Sequence, residues 1–134
     1  MNQVRFERCD PEVAPASELL AEMSVELNEA YGAPNRLDQP ALTPAELRPG
    51  AGGSYLVGHE DGVAVAGGGL RRLLDGVAEI KRMYVRPGAR SRGVAAQLLA
   101  ALEAEAVTLG YRSVRLDTGP KQVHALRLYR GSGF

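Results

Sequence analysis

Between Val85 and Leu99 a strand-like apolar pattern runs through a basic loop into a long amphipathic helical pattern. The loop reads Arg86-Pro87-Gly88-Ala89-Arg90-Ser91-Arg92-Gly93 and the helix opens on Val94-Ala95-Ala96. A helix N-terminus presents unpaired N–H groups and a partial positive charge. Gly93 leaves room where a side chain would block an incoming group, and Ala95 and Ala96 keep the first turn slim. Three arginines and no acid in the loop complete a cradle suited to phosphate. The competing reading of Arg90 and Arg92 is a solvated, charged loop.

Other chemistries find less support. No Gly-x-x-x-x-Gly-Lys-Ser/Thr run is present, and Gly67-Gly68-Gly69 does not continue to the Gly-x-Gly-x-x-Gly spacing. The single cysteine, Cys9, has no activating neighbour in sequence, so nucleophilic catalysis through it is not expected. One cysteine with two distant histidines, His59 and His124, excludes a disulfide framework and argues against a metal site.

The elements that must position this loop follow from periodicity. Val4 and Phe6 alternate with polar residues over 3–8, a first strand. Leu19, Leu20, Met23, Leu27 and Tyr31 fall at helical spacing over 16–31, ended by Gly32 and Pro34. Thr43-Pro44-Ala45-Glu46 has the form of a capping box and starts a short second helix that Pro49-Gly50 stops. Three strands follow over 54–60, 63–74 and 77–85, joined by Asp61-Gly62 and Asp75-Gly76, which are hairpin signals. The glycine triplet in the middle strand predicts a bulge or a close backbone approach. Residues 92–109 are the clearest helix, with Val94, Leu98 and Leu102 on its apolar stripe and Gly110 at its end. A strand over 113–117 and a helix over 122–130 close the sequence. The expected fold is mixed α/β: an antiparallel meander, then a parallel strand–helix–strand crossover, in one domain spanning 1–134.

Composition sets the outer bounds. Leu, Val, Phe and Ile total 32 of 134 residues, enough for a packed core. No apolar run approaches the roughly 20 residues of a membrane span, and no apolar signal core follows the N-terminus, so a cytoplasmic protein without membrane association is expected. Net charge is zero but uneven: residues 1–69 carry −7 and residues 70–134 carry +7. Either the second half meets a polyanion, or the two halves attract each other in the fold. Nucleic-acid binding is not expected, because the basic residues are split among a strand, a loop and a helix, and aromatics are few.

Four blocks resemble the GNAT superfamily of acetyl-CoA-dependent N-acetyltransferases, over about half the chain. Arg90-Ser91-Arg92-Gly93-Val94-Ala95 is similar to the family's Arg/Gln-x-x-Gly-x-Gly/Ala pyrophosphate loop. The run from Ala78 to Val85 looks like its fourth strand, and Leu116-Asp117-Thr118 like its fifth. Ala125-Leu126-Arg127-Leu128-Tyr129-Arg130-Gly131-Ser132-Gly133-Phe134 resembles its Ala-x-x-Leu-Tyr-x-x-x-Gly-Phe ending. The Leu-Asp-Thr-Gly-Pro-x-Gln run over 116–122 looks like a bacterial branch of unassigned substrate.

The resemblance implies roles. The amides of Arg92, Gly93, Val94 and Ala95, with Arg90 and Ser91, would hold the CoA pyrophosphate. Backbone groups of Met83, Tyr84 and Val85 would bind pantetheine and polarise the thioester. Tyr129 would be the general acid that returns a proton to the thiolate, since a phenol with a pKa near ~10 stays protonated at neutral pH. Gln122, at the position where many members carry Asn, falls at i and Tyr129 at i+7 on one face of the expected last helix. The alternative for Tyr129 is a core residue with a bonded hydroxyl. Glu79 matches the carboxylate that deprotonates the amine; its alternative is a surface glutamate paired with Lys81 or Arg82.

The implied activity is acetyl transfer from acetyl-CoA to a primary amine, small-molecule or peptide, by direct attack in a ternary complex without a metal. A non-catalytic acyl-CoA-binding module is the runner-up, and a homodimer stays open. Glu22, Glu26, Glu29 and Asp38, on the segments that roof the family's acceptor cleft, would suit a cationic amine. Family members continue with one or two further strands beside the fifth, so a truncated C-terminus is expected, with residues 113–117 an exposed edge.

Overall fold

Two Asp-Gly turns build the centre of the sheet. In the computed structural model, which describes residues 3–31, 42–119 and 122–127, three strands form an antiparallel meander: β2 (Ser54–Glu60), β3 (Val63–Leu74) and β4 (Val77–Val85). Asp61 and Gly62 both take positive φ, as a type I′ turn requires, whereas at the second turn only Gly76 does. β1 (Arg5–Arg8) pairs antiparallel with β2, shorter than the expected 3–8. α1 (Ala16–Tyr31) lies between β1 and β2 in sequence. The capping-box segment forms a 3-10 turn, Pro44–Leu47, in place of the expected short helix, with the Thr43 N–H donating to Glu46 Oε1 at 2.9 Å. α2 (Val94–Thr108) carries the chain from β4 to β5 (Ser113–Gly119), which lies parallel to β4.

Helices cover both faces. On one, Val94, Leu98, Leu102 and Ala106 of α2, four residues apart, pack on Leu56, Ala66, Leu70, Ala78, Ile80 and Val114. On the other, Ala16 and Leu19 of α1 pack with Leu47 on Tyr55, Val57, Ala64 and Tyr84. The glycine triplet serves this double cover. A Cβ at Gly68 would meet Leu102 Cδ1 at 3.0 Å, and one at Gly69 would meet Leu47 Cδ2 at 2.8 Å. Close approach from both faces leaves no room for side chains there. Among the described residues no helix is long and apolar enough to cross a membrane.

The bulge falls opposite the triplet. Gly67 pairs with Tyr84 and Gly69 with Lys81, so β4 carries the extra residue, at Arg82-Met83. Arg82 takes φ +61, a left-handed conformation.

The last segment departs from expectation. Gln122–Arg127 is not helical: it is a strand, β6, paired antiparallel with β5, from Ser113↔Arg127 to Gly119↔Gln122. A helix of two turns is marginal alone, and Val123 and His124 favour it little. A strand there satisfies the outer backbone groups of β5, which would otherwise be orphaned. Residues 113–117 are therefore a paired strand, not an exposed edge, and the sheet runs β1-β2-β3-β4-β5-β6.

A backbone test of the bulge follows. Arg82→Gly and Arg82→Val remove the same side-chain contacts, but valine is strained at positive φ. The glycine variant should be the more stable by about 1–2 kcal/mol in urea unfolding. Equal stabilities would mean that Arg82 leaves the left-handed conformation in solution.

Candidate functional site

β4 and β5 share a ladder only from Val77↔Ser113 to Ile80↔Leu116. Beyond it β4 continues to Val85 with β3 on its other side, while β5 continues to Gly119 with β6. One edge of residues 81–85 thus has no ladder partner among the described residues. The bulge at Arg82 lies within this stretch. Past it Met83 packs toward α2, whereas Tyr84 joins the cluster under α1.

The basic loop stands at the end of this free stretch. A 3-10 turn, Pro87–Ala89, leads to Ser91 at φ +64 and Gly93 at φ +82, immediately before α2. Gly93 is the N-cap and supplies no side-chain acceptor. The first helical bond runs from the Gln97 N–H to the Gly93 carbonyl, 3.2 Å, so the N–H groups of Val94, Ala95 and Ala96 lack acceptors within the helix. A Cβ at Gly88 or Gly93 would meet nothing within 4 Å. Open space before uncapped donors fits an anion.

Each loop arginine is paired with a carboxylate. Arg86 donates from Nε and Nη2 to both carboxylate oxygens of Glu22 (3.0 and 2.7 Å) and from Nη1 to the Ala64 carbonyl (2.8 Å). Arg90 donates to Glu26 Oε1 (2.7 Å) and to the Val85 carbonyl (2.8 Å), with its guanidinium 5.6 Å from the centre of the Tyr84 ring. Arg92 donates to both oxygens of Glu60 (3.0 and 2.9 Å). These bonds draw the Glu22, Glu26 and Glu60 carboxyls below the usual carboxylate range. Burial, and then the Glu22 and Glu26 carboxylates, push the Tyr84 phenol up.

Glu22 and Glu26 therefore serve the loop, which removes two of the acids expected to face a cationic amine. Asp38 lies outside the described residues. The charge asymmetry of the two halves is used within the fold: Glu22, Glu26, Glu46 and Glu60 each meet an arginine from beyond residue 69.

Glu79 sits in β4, 8% exposed, and accepts a 2.8 Å bond from Nε of Arg71, its cross-strand partner. Arg71 Nη1 in turn lies 3.6 Å from Glu46 Oε2. Glu79 is thus buried rather than on the surface. Arg71 was not singled out in the sequence, although Asp75-Gly76 folds residues 71 and 79 opposite each other. Read from the sequence alone, Glu22 and Glu26 are acids for a cationic amine, not loop partners; the one local signal for the pairing is that their four-residue spacing matches that of Arg86 and Arg90. Gln122 lies in β6, not on a helix, and Tyr129 lies outside the described residues. Cys9 Sγ contacts only main-chain carbonyls among its described hydrogen bonds. Among the described residues no three His, Cys, Asp or Glu side chains converge as metal ligands.

Because the Glu22 and Glu26 carboxyls titrate lower folded than unfolded, their contribution is complete above the unfolded pKa of about 4.3 and is lost as pH falls through the folded value. Stability should therefore fall in acid, and Glu22→Gln should flatten part of that fall. Urea melts from about pH 6 to about pH 3 check this; parallel curves for wild type and Glu22→Gln would contradict it.

Residues 18–134 match the family model described as the acetyltransferase (GNAT) family. The chain is 31% identical over 137 residues to an IAA acetyltransferase of Azospirillum brasilense, covering 100% of this chain and 86% of that protein. A GNAT-family acetyltransferase structure from Staphylococcus aureus superposes with a TM-score of 0.66 at 23% identity, over 87% of this chain and 73% of that one. A GNAT-family acetyltransferase from Elizabethkingia anophelis with acetyl-CoA bound gives 0.61 at 17% identity, over 91% and 69%. The two structural likenesses speak for the fold. The family match, spanning both the interrupted β4–β5 pair and the loop that caps it, goes further: this chain belongs to the GNAT family of acetyltransferases.

Proposed function

We propose that the protein moves an acetyl group from acetyl-CoA to a primary amine by direct attack in a ternary complex. The observation that carries this reading is a coincidence in space. The uncapped start of α2 at Gly93, unobstructed among the described residues, follows the stretch of β4 whose edge lacks a ladder partner among those residues. The first binds phosphate through N–H groups; the second offers main-chain groups to an extended ligand.

In this reading the amides of Arg92, Gly93, Val94 and Ala95 hold the pyrophosphate, with Arg90 and Ser91 at its flank. Main-chain groups of Met83, Tyr84 and Val85 line the pantetheine arm and the thioester oxygen. Acetyl-CoA supplies an acetyl group already activated as a thioester. Glu79 takes the proton that the amine gives up as its nitrogen bonds the acetyl carbon. Arg71 orients that carboxylate. Tyr129 returns a proton to the sulfur as the C–S bond breaks, and the Gln122 amide adds a polar contact to the cofactor. The acceptor class is a small-molecule or peptide amine.

A second reading, a non-catalytic acyl-CoA-binding module, uses the same contact. The bond between Glu79 and Arg71 would hold the carboxylate equally well in a protein that binds acyl-CoA without transferring the acyl group.

Two experiments test these assignments. Gly93→Glu should abolish acetyl-CoA binding in calorimetry, since it brings a side chain and a negative charge before the α2 donors. Gly93→Asn, which tolerates the left-handed backbone, should retain most of it. Unchanged affinity in a folded Gly93→Glu would remove the phosphate assignment. Glu79→Gln should lower turnover by about 10²-fold or more near neutral pH with little change in acetyl-CoA affinity. The deficit should narrow as pH rises and the amine deprotonates by itself. A variant with wild-type turnover would return Glu79 to the ion-pair role.

A further inference from the structure

Each of the three arginines of the loop already holds a carboxylate, but they are not held alike. Arg86 is the most buried of the three, with Glu22 engaging two of its nitrogens and the Ala64 carbonyl a third. It fastens α1 to β3 and the end of β4. Arg90 and Arg92 are more exposed, at 41% and 43%: Arg90 is held by Glu26 on α1 and by the Val85 carbonyl, and Arg92 by both oxygens of Glu60 at the end of β2. Both arginines flank Ser91 and stand within four residues of the uncapped α2 donors, so a polyphosphate seated there enters a field that the two carboxylates largely cancel.

We propose that Glu26 and Glu60 are affinity-setting residues of the phosphate site: they hold Arg90 and Arg92 in the free protein, and an anionic ligand must win those guanidiniums from them. The inference rests on the reading of this loop as the CoA phosphate site. Ion pairs at exposed guanidiniums are weak and exchangeable, and Arg90 and Arg92 are the two more exposed guanidiniums of the loop, whereas Arg86, the most buried, ties α1 to β3 and the end of β4 as a fixed strut. The same carboxylates raise selectivity. A singly charged ion gains too little from the α2 donors to displace both, while a ligand with several phosphate charges engages the donors and both arginines together.

The test is calorimetric titration of the full chain with CoA and, separately, with inorganic phosphate. Glu26→Gln and Glu60→Gln should each bind CoA about two- to fivefold more tightly than wild type. The double variant should bind more tightly still, and the gain should shrink as salt is raised. Inorganic phosphate affinity should rise in the double variant by a larger factor than CoA affinity does. Glu22→Gln should lower thermal stability without tightening CoA binding. Two variants on different elements keep the test open if one folds poorly. Unchanged or weaker CoA binding in folded Glu26→Gln and Glu60→Gln, with wild type binding normally, overturns this inference alone. Absence of CoA binding by wild type overturns the site reading and this inference together.

Discussion

Four residue pairs hold the parallel strands β4 and β5 together, and the organisation of the site depends on their stopping there. Each strand runs on beyond Ile80 and Leu116 because each has another partner: β3 for β4, and β6 for β5. A sheet that kept its ladder along the whole of β4 would satisfy the main-chain groups of residues 81–85 and close the opening. The left-handed bulge at Arg82 belongs to the same constraint. It inserts a residue on β4 only, so that Met83 turns toward α2 and Tyr84 toward α1. The glycines of β3 opposite it let both helices lie close enough to bring their residues to the strand end.

Electrostatics then fasten the second layer to the first. Sequence separations of 64 residues divide Glu22 from Arg86 and Glu26 from Arg90, yet both pairs form within 3 Å. The matching four-residue intervals let one face of α1 address the loop twice. The arginines are thereby held by carboxylates, and the groups left without acceptors are the main-chain N–H groups at the start of α2. Backbone dipoles serve well there, since they need no reorganisation and add no net charge.

Glu79 shows how a polar residue can satisfy two accounts at once. Its burial requires a partner, because a lone carboxylate out of water is strongly disfavoured. Arg71 meets that need from across the ladder, with Glu46 beyond it. A carboxylate so held has a defined direction, which a proton acceptor also needs. Structure and chemistry ask for the same arrangement here, and turnover is what separates them.

Local chemistry determined much of this protein. The hairpins follow from Asp-Gly turns, α2 from the four-residue recurrence of Val94, Leu98 and Leu102, and the open, uncapped start of α2 from Gly93 at a strand-to-helix junction. Each of these signals lies within a few residues, so the linear sequence contains it. The tertiary structure decided what depends on distant partners. Arg90 and Arg92 read as phosphate ligands or solvated charges, and their meeting with Glu26 and Glu60 required α1 and β2 to be in place. Arg82, an ordinary strand residue by type, took the left-handed conformation because two helices and a neighbouring ladder fixed the register around it. Residues 122–127 read as a helix from their own spacing, but the outer edge of β5 offered a full ladder of hydrogen bonds. A short helix could not match that, because its intrinsic preference is weak and its bonds serve only itself.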